Sequence, residues 1–225
     1  VIHYHGTPIT PQRQLLRMVG RFFCVSYANP QNLPTCLQIG QGVMLDNGAF
    51  SAFTKGVPFN ETGFYGWIEP HLAHPHWAVI PDVIGGSVED QRSMVSRWPF
   101  SSNLGYPVWH LGLPIDYLLE LADGWGRICF GSSAEYWKAG TARWCGRMDE
   151  AFNALARRGT MPWVHGLRML GQTQRWPLAS ADSTNVAQNF KRYCGCAECM
   201  AHEIDAVQPP LGWKISEEQI DMFHG

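Results

Sequence analysis

Three aspartates, Asp46, Asp82 and Asp182, each close a short apolar run, in GVMLD, AVIPD and LASAD. Carboxylates at strand ends, rather than on helix faces, converge on one pocket, where burial and like charge move their pKa values toward acid–base work. His5, Tyr27, His110, Gly131 with Ser132, and His165 end further runs of the same kind, so the predicted pocket has a polar ring. Residues 193–200 read YCGCAECM, a C-x-C-x2-C arrangement in which Cys194, Cys196 and Cys199 can reach one tetrahedral ion. The expectation is a structural zinc ion, one per chain, because a fourth protein ligand, His202 or His224, closes its shell.

Each of these residues has a plainer use. Asp46 precedes Asn47 and Gly48 and can start a turn; Asp82 and Asp182 can cap the helices that follow them. The cysteines can be free thiols. His3, His5, His110 and His165, with His3 and His5 on the first strand and an aspartate on the last, also fit the metal site of zinc-dependent barrel hydrolases, an alternative chemistry for the same fold.

Positioning these groups falls to eight apolar runs, residues 1–5, 22–27, 42–46, 77–82, 107–111, 127–131, 163–167 and 178–182. Amphipathic stretches at 11–19, 62–72, 88–98, 115–122 and 142–158 alternate with them, while the second and seventh connections look short or irregular. Alternating strands and helices imply a parallel sheet, and eight units match an α/β fold of the (β/α)8 TIM-type barrel. An open doubly wound sheet is the competitor, but no Gly-rich dinucleotide fingerprint follows the first run. One barrel domain over residues 1–225 is expected, with a zinc-binding segment at 193–225 after the eighth strand. Within it, residues 216–223 read as a short capped helix.

The chain of 225 residues, 45% hydrophobic, can bury one sizeable core. It shows no run of about 18 apolar residues and no signal-peptide pattern, which predicts a soluble, cytoplasmic protein with no membrane partner. Seven cysteines, three within six residues, suit a reducing compartment better than a disulfide framework. A net charge of −2 excludes binding to nucleic acid by bulk electrostatics alone. A local patch remains open to Arg13, Arg17 and Arg21, or to Arg168, Arg175, Lys191 and Arg192, although scattered basic residues are usually solvated surface.

Taken in order, the motifs resemble the tRNA-guanine transglycosylase superfamily. LDNGAFS at 45–51 is similar to the family's aspartate-led third-strand signature, with Asp46, Gly48 and Phe50 in register. IPDV at 80–83, CFGSS at 129–133, HGLRMLG at 165–171 and SADSTN at 180–185 follow in the family's order, and His224 fits the family's interval from zinc cysteines to histidine. The chain is shorter than tRNA-directed members, and His110 stands near their base-binding glutamine. The compact phage-type DNA deazaguanine transglycosylases are the more similar branch, which implies residence in the cytoplasm, the host's where a phage carries the gene.

The resemblance implies a pentosyltransferase that replaces guanine in nucleic acid, DNA rather than tRNA, by a free 7-deazaguanine base such as preQ0. It makes Asp182 the nucleophile and assigns base binding to Asp82, Phe50, His110, Gly131, Ser132 and Met169. Breaking the bond from C1′ to N9 passes through an oxocarbenium-like state that a carboxylate can trap. A second carboxyl group, Asp46, then exchanges a proton with the leaving and incoming bases. The target base must leave the stack. A homodimer, a partner protein, or a non-catalytic nucleic-acid-binding subunit are arrangements compatible with the resemblance.

Overall fold

The computed structural model describes residues 1–159 and 161–215. The strands are β1 (Ile2–Gly6), β2 (Phe22–Ser26), β3 (Gly42–Asp46), β4 (Trp77–Val79), β5 (Gly105–Tyr106), β6 (Val108–His110), β7 (Arg127–Gly131), β8 (Trp163–Gly166) and β9 (Ser180–Ser183). The helices are α1 (Gln12–Leu16), α2 (Leu33–Ile39), α3 (Ala49–Lys55), α4 (Glu61–Ile68), α5 (Val88–Ser96), α6 (Ile115–Gly124), α7 (Ala142–Arg158), α8 (Asn185–Tyr193) and α9 (Ala197–Asp205).

All neighbouring strands pair in parallel, in the order β5-β4-β3-β2-β1-β9-β8-β7-β6. Nine strands replace the expected eight because Pro107, which has no N–H to give to a ladder, splits one stretch into β5 and β6. The carbonyl of Tyr106 accepts the Ile80 N–H at 3.0 Å, and the carbonyl of Pro107 accepts the Cys129 N–H at 2.8 Å. Consecutive residues thus bond the strands on either side, and the sheet becomes a nearly closed barrel.

Strand alternation separates two kinds of core. Tyr4, Cys24, Met44, Trp77, Val79, Tyr106, Val108 and Cys129 fill the barrel interior. There Trp77 stacks on Tyr106 with centroids 4.0 Å apart and donates its indole N–H to the Tyr4 hydroxyl at 2.8 Å. The intervening residues face the helices: Phe23, Val25, Val43 and Leu45 meet Leu15, Phe64 and Phe190. On the other side Trp109, Phe130 and Val164 meet Trp144, Met148 and Phe152.

α7 shows how the sequence builds this outer layer. Trp144, Met148, Ala151, Phe152 and Leu155 recur at helical spacing and are buried, the Thr141 hydroxyl accepts the Trp144 N–H at the start, and Gly159 ends the helix at φ 76°. Truncating a fully buried aromatic such as Trp144 to alanine costs about 3–5 kcal/mol.

The expected zinc segment is corrected by the structure. Among the described residues no group of three His, Cys, Asp or Glu side chains is placed to hold a metal ion. Residues 197–205 form α9 instead, with Ala197, Met200 and Ala201 buried. The Cys196 sulfur accepts the Cys199 N–H at 3.2 Å and so caps that helix, while the Cys194 thiol turns to the Cys196 carbonyl at 3.2 Å. Cys194 and Cys199 are exposed and Cys196 is buried. His202 is exposed on α9; His224 and the predicted helix at 216–223 lie outside the described residues. No helix among the described residues is long and apolar enough to cross a membrane.

Candidate active site

The carboxyl ends of the strands open onto two adjoining cavities. The first, of about 260 Å³, is lined by Asp46, Asp182, Ser26 and Thr184 among others. The second, of about 360 Å³, is lined by Asp82, Asn47, His110, Gly131, Ser132 and Trp137. Asp46, Phe50, Leu167 and Arg168 line both, so they form the boundary between them. A larger cavity of about 440 Å³ lies at the opposite end of the barrel, beside Phe22, Trp77 and Arg127, and among the described residues no carboxylate lines it.

Asp182 stands on β9 opposite Tyr4 of β1 and is buried. Its Oδ1 accepts the backbone N–H of Arg168 at 2.9 Å and lies 3.3 Å from His165 Nε2. The other ring nitrogen of His165 meets the Ser180 hydroxyl at 2.8 Å, which fixes the imidazole plane. Asp182 is therefore aimed by two partners that meet at one carboxylate oxygen.

Asp46 ends β3 in register with Ser26 of β2. Removal from water pushes its carboxyl up to about 6; the nearby Asp182 and Asp82 charges add to this, while a hydrogen bond from Ser26 and the charge of Arg168 oppose it. Such a group exchanges protons near neutral pH.

Asp82 lies beyond the end of β4 in the second cavity. Its Oδ1 accepts the Asn47 amide at 2.8 Å, and its Oδ2 meets His110 Nε2 at 2.8 Å. Asn47 also donates to the Ile80 carbonyl and accepts the Ala49 N–H, tying this carboxylate to the turn between β3 and α3. Gly131 faces the ring directly: a Cβ there would stand 2.9 Å from His110 Nδ1. The Ser132 hydroxyl accepts the Trp144 indole N–H at 2.9 Å.

Phe50 is 40% exposed at the boundary, and the Arg168 guanidinium lies over its ring at 3.7 Å from the centroid. Met169, expected beside a base, is instead fully buried in the outer core with Trp144 and Trp176 and lines neither cavity. His3 and His5 sit on the opposite face of β1 from Tyr4, against Asp205 of α9 at 3.5 and 3.0 Å. Arg21 pairs with the same carboxylate. This face is turned away from Asp182, so His3 and His5 share no centre with the last-strand aspartate, and around His110 and His165, as elsewhere among the described residues, no group of three His, Cys, Asp or Glu side chains is placed to hold a metal ion.

Ser26, Asn47 and Arg168 act on the carboxylates without having been singled out for it. Adjacent strand register could have suggested Ser26. The left-handed backbone of Arg168, φ 57°, has no signature in residue type.

The barrel is consistent with the transglycosylase superfamily fold and with enzymatic barrels in general. Comparison with known proteins gives no match to any family model, curated protein or solved structure.

Proposed function

We propose that the chain is a base-exchanging transglycosylase that replaces guanine in nucleic acid, DNA in preference to tRNA, by a free 7-deazaguanine such as preQ0. The observation that carries this is the shared cavity of Asp46 and Asp182, in which one carboxyl is raised to about 6 and the other is aimed by Arg168 N–H and His165.

In this scheme the Asp182 carboxylate attacks C1′ of a flipped or single-stranded guanosine as the bond to N9 breaks. Protonated Asp46 gives its proton to the departing guanine. The incoming base returns a proton to Asp46, its nitrogen attacks C1′, and the ester to Asp182 is released, so the exchange is balanced. Asp82, with Asn47 and His110 behind it, faces the second cavity and suits the N–H donors of the guanine edge. Phe50, Gly131 and Ser132 border the same space. In architectural terms β5 and β6 act as one stave, giving a TIM-type barrel in a single domain.

The test is incubation of the purified chain with labelled guanine and with single-stranded DNA, duplex DNA and tRNA. Incorporation of label into DNA that disappears in Asp182→Ala supports the proposal; no incorporation into any substrate overturns it. Label entering tRNA alone would keep the chemistry and reverse the preferred substrate.

A further inference from the structure

We propose that Arg168 binds a backbone phosphate of the nucleic-acid substrate and, in moving to it, uncovers Phe50 as the platform for the target base. This rests on the transglycosylase proposal. Arg168 is the one Arg or Lys among the described residues lining either cavity, against three carboxylates, Asp46, Asp82 and Asp182. A nucleotide whose C1′ reaches Asp182 carries its phosphates toward that negative ring and needs a compensating cation there. The planar fork of a guanidinium suits a phosphate.

Arg168 is also free to move. Arg143, Arg147 and Arg175 are paired with Glu135, Glu150 and Asp149, whereas Arg168 has no carboxylate in ion-pair contact among the described residues. Its side chain is held by the Phe50 ring, an exposed cation–π contact that solvent weakens. The guanidinium covers one face of that ring, so a base stacking there and a phosphate drawing Arg168 away favour the same displacement. The backbone stays behind: at φ 57° it keeps its N–H on Asp182, so the side chain can swing without loosening the nucleophile.

The test compares the wild-type chain, Arg168→Gln, Arg168→Lys and Arg168→Gly, the last of which relaxes the left-handed backbone. Binding of a guanine-containing single-stranded oligonucleotide is measured at several salt concentrations, and binding of free guanine by calorimetry. The expected result is about tenfold weaker oligonucleotide binding in the Gln and Gly variants. The slope of log affinity against log salt should fall by about 0.7, the value for one phosphate contact to a single strand. Guanine affinity should be unchanged or higher, and Lys should restore part of the slope.

Unchanged oligonucleotide affinity and slope in Arg168→Gln overturns the assignment, while base exchange by the wild type leaves the transglycosylase proposal standing. A parallel loss of guanine and oligonucleotide affinity with the slope unaltered also overturns it, in favour of Arg168 as a support for Asp182 alone. A wild-type chain that neither binds the oligonucleotide nor exchanges guanine overturns both.

Discussion

Asp82 and His110 meet at 2.8 Å between Oδ2 and Nε2, and the second ring nitrogen of His110 is buried with no partner among the described residues. With Nε2–H given to Asp82, Nδ1 is an acceptor held against Gly131. A buried acceptor without a donor is costly unless a ligand supplies one.

His110 and Gly131 are thereby coupled in one prediction. Gly131→Ala places a methyl 2.9 Å from Nδ1 and forces the ring aside. We expect guanine affinity to fall about tenfold, the cost of roughly one hydrogen bond in a dry site, with a small change in melting temperature. His110→Gln should retain more affinity than His110→Ala. Calorimetric titration with guanine checks both; equal affinity in Gly131→Ala and wild type would remove His110 from the base site.

Asp46 governs pH dependence. Its carboxyl, raised from 3.8 to about 6, must be protonated to release guanine, so the rate of that half-reaction should fall as pH rises through about 6. Asp46→Asn should lose about 10²–10⁴ in rate and the pH dependence with it. Rapid-quench measurement of guanine release between pH 5 and pH 8 distinguishes this from a profile set by another group.

Eight strands are legible as short apolar runs that lead into polar residues, and α7 because five apolar residues repeat at helical spacing, whereas the two-residue β5, Gly105–Tyr106, falls outside every such run. Three helices were hidden for separate reasons. α2 carries Pro34 in its first turn, α3 begins just after Gly48 at φ 74°, and the apolar spacing of α9 is masked by cysteines that suggest metal. The aspartates could be read as strand ends. That His3 and His5 face outward could not, since H-Y-H reads the same for either phase of the alternation. The placement of Arg168 depends on a backbone angle and on a ring contact across more than a hundred residues, and neither leaves a periodic trace.

Asp182 should form the covalent link. Quenching the chain with oligonucleotide in the absence of an incoming base should give a slower band on a denaturing gel, absent in Asp182→Ala, whose exchange rate falls roughly a thousandfold or more. His165→Ala removes a positioning partner only, so the band should persist and form about tenfold more slowly. An adduct of unchanged yield in Asp182→Ala would transfer the nucleophile elsewhere.

His3 and His5 carry a stability prediction of opposite sign to that of Asp46. Burial lowers the His5 imidazole from 6.5 to about 3, with the Arg21 charge adding to it, and lowers His3 to about 4. Asp205 does not reverse this, because Arg21 pairs with the same carboxylate. An unfolded chain takes up protons on these rings below pH 6.5 while the folded one does not, so their contribution is complete above 6.5 and is lost as pH falls toward 4. The loss is about 1.4 kcal/mol per pH unit for each proton bound on unfolding. Asp46, whose folded pKa is raised, destabilises the fold as pH rises from about 4 to about 6 and so partly offsets the histidines in that window. Urea unfolding between pH 4.5 and pH 7.5 separates the two. His5→Leu should flatten the acid-side fall, and Asp46→Asn should steepen it while stabilising the chain at pH 7.5. Because the histidines face away from the cavities, His5→Leu should leave the rate of base exchange within about twofold of wild type wherever the chain remains folded. Parallel stability curves for His5→Leu and wild type would mean that the imidazole is already charged in the folded barrel, with Asp205 rather than burial setting its state.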